Sequence, residues 1–277
     1  KKSLLILLLM VCPFLGHAQV SRPKLVVGIV VDQMRWDYFY YYNREFCPGG
    51  FKRLLSEGYR CQNTMVPYIP TVTAIGHSSI YTGSVPALTG ILGNSFFING
   101  EKAYCCGDDS VETVGSKSKE GKMSPRRLLA STIGDELKLA TDFKSKVVGV
   151  ALKDRAAILP AGHCADAAYW WDSSEGRFIT STYYMNKLPA WVEQFNKAHQ
   201  QKKGFDVKST PKGITLTFDM AEAALKNERL GLGTETDMLT VSISSTDIIG
   251  HIYSTRGPEI HDAYIQLDRE LDRFFNT

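Results

Sequence analysis

Three stretches of this chain are apolar and rich in β-branched residues from end to end: Leu25–Val31, Val147–Leu152 and Met238–Ser244. A strand with one wet face alternates apolar and polar residues, whereas a run without alternation belongs to a strand covered on both faces. Stretches of helical character separate these runs. Phe51 to Leu55 is short and amphipathic and is closed by Gly58, and Ala221 to Leu230 follows a helical pattern. After Pro258, the spacing of Tyr264, Leu267, Leu271, Phe274 and Phe275 predicts an amphipathic helix. Buried strands alternating with helices predict an α/β fold, a mainly parallel sheet with helices on both faces. Ala167–Trp171 and Arg177–Tyr184 flank a polar turn and read as a hairpin. The alternation over Ile214–Phe218 predicts one more strand. Residues 107–125 and 197–213 are polar and read as surface excursions.

At 44% apolar and 22% charged residues, the composition is that of an ordinary folded globular protein. The start is different. Lys1 and Lys2, the apolar run Leu4–Leu15, and Gly16-His17-Ala18 together read as a secretory signal peptide over residues 1–18. About 12 apolar residues are too few to span a bilayer. The mature chain, from residue 19, is therefore expected in the periplasm or outside the cell, with no stable membrane span. The formal charge of +3 comes from 32 basic and 29 acidic residues. Without Lys1 and Lys2 it falls to +1, which gives no field for nucleic acid. Five cysteines remain after cleavage, Cys47, Cys61, Cys105, Cys106 and Cys164. An odd number leaves at least one without a partner in the chain, and no CxxC suggests a zinc-thiolate site. They read as scattered structural cysteines.

Each long run is followed closely by charged residues: Asp32 after the first, Lys153-Asp154-Arg155 after the second, Asp247 after the third. Ligands of open parallel sheets bind beyond the carboxyl ends of the strands, so these residues are expected to converge. Asp32 is a hard oxygen ligand at the end of a rigid strand. Asp247 and His251 are four apart, which on a helix lets both reach one metal ion. Lys153 and Arg155 are two apart. On a continuing extended chain both would point one way and Asp154 the other. An ammonium beside a guanidinium suits a dianion.

Several motifs carry a more specific signal. Val30-Val31-Asp32-Gln33-Met34-Arg35-Trp36-Asp37, Pro70-Thr71-Val72-Thr73-Ala74-Ile75-Gly76-His77, Gly83-Ser84, Gly93-Asn94, Leu152-Lys153-Asp154-Arg155 and Ser245-Thr246-Asp247-Ile248-Ile249-Gly250-His251 occur in that order. They resemble the type I phosphodiesterase/nucleotide pyrophosphatase group of the alkaline phosphatase superfamily. The nearest resemblance is to its PafA-type, threonine-nucleophile alkaline phosphatases, and it runs from about Pro23 to the end.

The resemblance implies an alkaline-phosphatase-like fold and a two-zinc hydrolase of small-molecule phosphate monoesters. Asp32 and the Thr73 oxygen would bind one zinc, and Asp247 and His251 the other. Thr73 would attack phosphorus and form a covalent phosphothreonine; a free Thr hydroxyl is a weak nucleophile until a metal activates it. Asn94, Lys153 and Arg155 would bind the substrate phosphate. The family register favours Thr73 over Thr71, and gives His77 a packing role. The family completes its zinc sites with a later Asp-His pair and a final His. Residues 19–277 would accordingly be the N-terminal portion of one catalytic domain, with the C-terminal part missing and little activity of its own. Two alternatives remain: a phosphodiesterase or nucleotide pyrophosphatase using the same zinc and Thr73, and a non-catalytic fragment that binds anions through Lys153 and Arg155. A sulfatase is disfavoured, because no Cys-x-Pro-x-Arg is present.

Overall fold

The computed structural model describes residues 22–201 and 205–277, so the signal peptide read over residues 1–18 lies outside the described residues. The chain opens with β1 (Leu25–Val31), α1 (Tyr38–Tyr41), α2 (Phe51–Glu57), α3 (Thr73–Thr82) and α4 (Pro86–Thr89). The short strands β2 (Ser95–Ile98), β3 (Glu101–Tyr104) and β4 (Thr113–Val114) follow. Next come α5 (Ile133–Ala140), β5 (Val147–Ala151), α6 (Asp154–Ala161), β6 (Ala167–Asp172), β7 (Arg177–Ser181) and α7 (Ala190–Ala198). The last elements are α8 (Pro211–Asn227), β8 (Asp237–Ile243), α9 (Ser245–Tyr253) and α10 (Pro258–Phe275).

Six strands form one sheet in the order β1-β8-β5-β6-β7-β4. The first four run parallel; at one side β7 pairs antiparallel with β6, and β4 pairs antiparallel with β7. The expected mainly parallel sheet is therefore present, with the predicted hairpin as β6 and β7. The alternation of strand side chains divides the core into two layers. Tyr169 and Trp171 of β6 pack with Ile214 and Phe218 of α8 and Tyr264 of α10 on one face. Ala168 and Trp170 pack with Ile75 of α3 and Ile158 of α6 on the other. Burial of each large side chain contributes about 1.5–3 kcal/mol.

Four expectations need correction. Ile214–Phe218 is helical, not extended. Pro211 starts α8 where a missing N–H costs nothing, and Ile214, Phe218 and Ala221 recur on one buried helical face. Thr217 returns its hydroxyl to Gly213 O at 2.7 Å and Thr215 donates to Glu270 Oε1 of α10 at 2.6 Å, so both polar members of the alternation are satisfied on a helix. Second, β1 is not covered on all sides. It is the outermost strand among the described residues, is only partly buried, and leaves Val26 40% exposed. The equally apolar β5, β6 and β8 are buried throughout. Third, residues 107–125 are more than an excursion. They supply β4 to the sheet edge, and Glu120 O accepts the Trp170 indole N–H at 2.9 Å. Fourth, the chain does not stay extended after β5: Lys153 caps α6, and Arg155 already lies in its first turn.

Gly28 interrupts the branched residues of β1 for a visible reason. A Cβ built there would run into the Tyr81 hydroxyl and ring from the last turn of α3. The helix that begins at Thr73 therefore lies close against the strand that ends before Asp32.

Candidate active site

The parallel strands deliver their charged residues to one edge, as the crevice rule requires. Asp32 follows β1, and its backbone N–H donates to Ile243 O at the end of β8 at 3.1 Å. The next residue, Gln33, has φ of 59°, a left-handed conformation that costs a non-glycine residue energy and turns the chain abruptly off the strand. Thr246 fixes the same corner by donating its hydroxyl to Asp32 O at 2.7 Å.

Thr73 is the first residue of α3 and is 8% exposed, whereas Thr71 lies out in solvent. Its hydroxyl donates to Asp32 Oδ2 at 3.0 Å. The helix N-terminus adds a partial positive charge at this point. His77, one turn on, is buried. Its Nδ1 is 2.8 Å from Thr73 O and its Nε2 is 2.7 Å from Ser242 Oγ of β8. Burial pushes the His77 pKa down and keeps the ring neutral. It is a strut between helix and sheet, in line with the packing role expected of it.

Lys153, 8% exposed, lies at the centre. Its ammonium is 2.6 Å from Asp32 Oδ2, 2.5 Å from Asp247 Oδ2 and 3.4 Å from Thr73 Oγ1. Asp247 and His251 both lie on α9, and the imidazole Nε2 is 3.2 Å from Asp247 Oδ1. Asn94 precedes β2. Its carboxamide oxygen accepts the Ala74 N–H at 3.0 Å, which leaves its NH2 as the free donor end.

Arg155 departs from the expected geometry. Because α6 begins beside it, it does not run parallel with Lys153; its Nη1 donates to the Tyr104 hydroxyl at 3.0 Å. Burial disfavours its charge, but Tyr104 and Asp154 outweigh that and raise its pKa. Nor does Asp154 point away from everything: it accepts the Tyr104 hydroxyl at 2.5 Å. Sequence reasoning missed Tyr104, Thr246 and the Ser242 strut. The helix start at Asp154 did have a signal, an acidic first-turn residue before Ala156-Ala157-Ile158-Leu159.

Asp32, Thr73, Lys153 and Asp247 thus meet within hydrogen-bonding reach, with His251 joined through Asp247 and Asn94 joined through the start of α3. Two carboxylates share one ammonium in a part-buried place. The donors of the cluster are hard carboxylate and hydroxyl oxygens plus an imidazole nitrogen, and this chemistry fits a divalent cation such as zinc. Divided between two ions, these donors give each only two, fewer than the three or four of a zinc site. No group of three or more His, Cys, Asp or Glu converges as a metal site among the described residues.

A mainly parallel sheet with these groups at its carboxyl edge is an alkaline-phosphatase-like fold. The crystal structure of wild-type alkaline phosphatase PafA superposes on it with a TM-score of 0.89 and 44% identity, covering 93% of this chain and 59% of that one. The chain belongs to the family described as type I phosphodiesterase / nucleotide pyrophosphatase, which it matches over residues 26–277. Similar proteins include one named calcium-transporting ATPase from Myroides odoratus, 47% identical over 94% of this chain and 57% of its own length. Alkaline phosphatase PhoV of Synechococcus elongatus is 45% identical over 93% of this chain and 56% of its own. Alkaline phosphatase PafA of Elizabethkingia meningoseptica is 44% identical over 93% and 57%. The chain therefore spans less than two thirds of the length of these relatives.

Proposed function

We propose that this chain carries the nucleophile, the phosphate-binding groups and part of the zinc ligation of an exported phosphomonoesterase that works through a covalent phosphothreonine. Residues 19–277 are then the N-terminal portion of its catalytic domain, and its substrates are small phosphate monoesters. The supporting observation is the meeting of the Thr73 hydroxyl, the Asp32 carboxylate and the Lys153 ammonium, residues brought together from the ends of β1 and β5 and the start of α3.

In this reading Thr73 Oγ forms the new bond to phosphorus as the bond to the leaving oxygen breaks. Asp32 orients the hydroxyl by accepting its proton in a hydrogen bond. Lys153 puts positive charge beside the attacking oxygen and the phosphoryl group. The Asn94 NH2 donates to one phosphate oxygen, and Arg155 offers Nε, which is buried without a partner among the described residues. Asp32 with Thr73, and Asp247 with His251, would hold zinc. When bound, zinc would lower the pKa of the hydroxyl and stabilise charge on the attacking and leaving oxygens.

The test is to quench the zinc-loaded full-length protein in acid during turnover of 4-nitrophenyl phosphate and map the adduct. Phosphate on the peptide bearing Thr73, absent in Thr73→Ala, is the expected result. Turnover without that adduct would remove the covalent mechanism. Sequencing the secreted protein from its amino end checks export, with Gln19 expected first.

One observation favours a diesterase. Lys153 is engaged by two carboxylates, so Arg155 carries much of the burden of neutralising the substrate, and one cation suits a monoanionic diester. A higher kcat/KM for bis(4-nitrophenyl) phosphate than for 4-nitrophenyl phosphate would establish that reading instead.

A further inference from the structure

The hairpin formed by β2 and β3 touches the site twice. At its base, Asn94 O accepts the Cys105 N–H at 3.0 Å, and Ser95 pairs with Tyr104 in the ladder. Asn94 reaches the start of α3 through Ala74 N–H. On the other arm, the Tyr104 hydroxyl accepts from Arg155 Nη1 at 3.0 Å and donates to Asp154 Oδ1 at 2.5 Å. Burial, with Asp154 nearby, pushes the Tyr104 pKa far up, so the phenol keeps the proton it donates. One short ribbon therefore holds both groups that have donors to spare for a phosphate.

The division of the guanidinium is informative. Nη1 is spent on Tyr104, while Nε is buried and has no partner among the described residues. A planar fork held by one corner presents its remaining edge in a fixed direction, which is what bidentate recognition of phosphate oxygens needs. Asp154 alone does not hold Arg155 this way. Its carboxylate is 3.8 Å from Nη1, too far for a hydrogen bond, and reaches the guanidinium through the phenol.

We propose that Tyr104 is a positioning residue: by fixing Arg155 relative to Asn94 and the Thr73 helix, it makes the site discriminate dianionic monoesters from diesters. This rests on the phosphomonoesterase reading above. A dianion gains from two aligned donors at its non-bridging oxygens. A diester has one such charge fewer and gains less from the alignment.

The experiment is a double-mutant cycle in the zinc-loaded full-length protein with Tyr104→Phe, Arg155→Ala and the pair. Substrates are 4-nitrophenyl phosphate and bis(4-nitrophenyl) phosphate. Inorganic phosphate binding by calorimetry serves as a readout that needs no turnover. Tyr104→Phe is expected to lower kcat/KM for the monoester by about 10–100-fold and leave the diester within about threefold, the scale of a misplaced binding group. In the Arg155→Ala background it should change the monoester by less than about twofold, and phosphate affinity should follow the same pattern. Equal losses in both backgrounds, equal losses for both substrates, or no loss would each overturn the proposal. Asp154→Asn tests the same link from its other end should the phenylalanine variant not fold. If Thr73→Ala and Arg155→Ala leave turnover untouched, the phosphatase reading itself is wrong. If they act and Tyr104→Phe does not, only the role of Tyr104 is wrong.

Discussion

Near the amino ends of β5, β6 and β8, carboxylates are spent on the backbone; Asp32 and Asp247, beyond the carboxyl ends of β1 and β8, meet only side chains among the described residues. Asp237 accepts the N–H groups of Lys146 at 2.7 Å and Gly231 at 2.8 Å. Asp166 accepts Val147 N–H at 2.8 Å and the Lys138 ammonium at 2.9 Å. Asp135 accepts N–H groups from Thr132 and Cys164 and sits 3.1 Å from His163 Nδ1. Asp32 and Asp247, at the other end, are held by Lys153, Thr73 and His251 alone among the described residues. Backbone partners cannot leave without unfolding something. Side-chain partners can exchange for a cation or a substrate at little structural cost. The difference separates carboxylates that hold the fold from those available for chemistry, though both kinds sit at strand ends.

Thr73→Ala offers the sharpest challenge to this division. It should cut kcat by about 10³-fold or more, as loss of a nucleophile does, while the melting temperature stays within about 2 °C, since only an exchangeable side-chain contact goes. A large loss of stability would mean that the carboxyl end is structural as well. Asp237→Ala should do the reverse. Two part-buried backbone donors would lose their acceptor at about 1–3 kcal/mol each, so the melting temperature should drop by roughly 5–10 °C, while kcat per folded molecule is unchanged.

A pH titration of stability comes next in size. Burial opposes the Asp135 charge, but the hydrogen bonds from His163, Thr132 and Cys164 win and hold its pKa at about 2. The unfolded state then binds more protons in acid, so this stabilisation is fully present above the ordinary value of 3.8 and is lost as pH falls through about 2. It is worth about 2 kcal/mol. His163 is raised above 6.5, chiefly by its hydrogen bond to Asp135, so its contribution is complete below 6.5 and fades as pH rises through the folded value. Chemical denaturation should show both limbs, and Asp135→Asn should flatten the acid one. The smallest effect is expected for Thr73→Ser: kcat within about tenfold of the parent, because the hydroxyl is kept, and unchanged stability.

Much of this architecture was legible because its signals are local. A strand buried on both faces shows its apolar run within seven residues, and Asp247 with His251 shows a helical turn within five. The choice of Thr73 over Thr71 followed from the motif around it. What the sequence hides is pairing across distance. Nothing in Glu101–Tyr104 announces that its phenol meets a guanidinium more than fifty residues on. The alternation at Ile214–Phe218 is compatible with strand or helix until Ala221 and Ala224 are seen to continue the same buried face. Nor does composition distinguish β1 from β8, because outer position is decided by strand order and not by side-chain type.

The close approach at Gly28 lies far from the pair formed by Thr73 and Asp32. Tyr81 lies eight residues beyond Thr73 and Gly28 four before Asp32, about 12–13 Å back along helix and strand respectively. A single methyl group at residue 28 would meet the Tyr81 hydroxyl and ring and push that side chain off its seat against β1. A hydrogen atom in the middle of a strand is thus what leaves the aromatic ring of the last turn of α3 its seat, well outside the crevice.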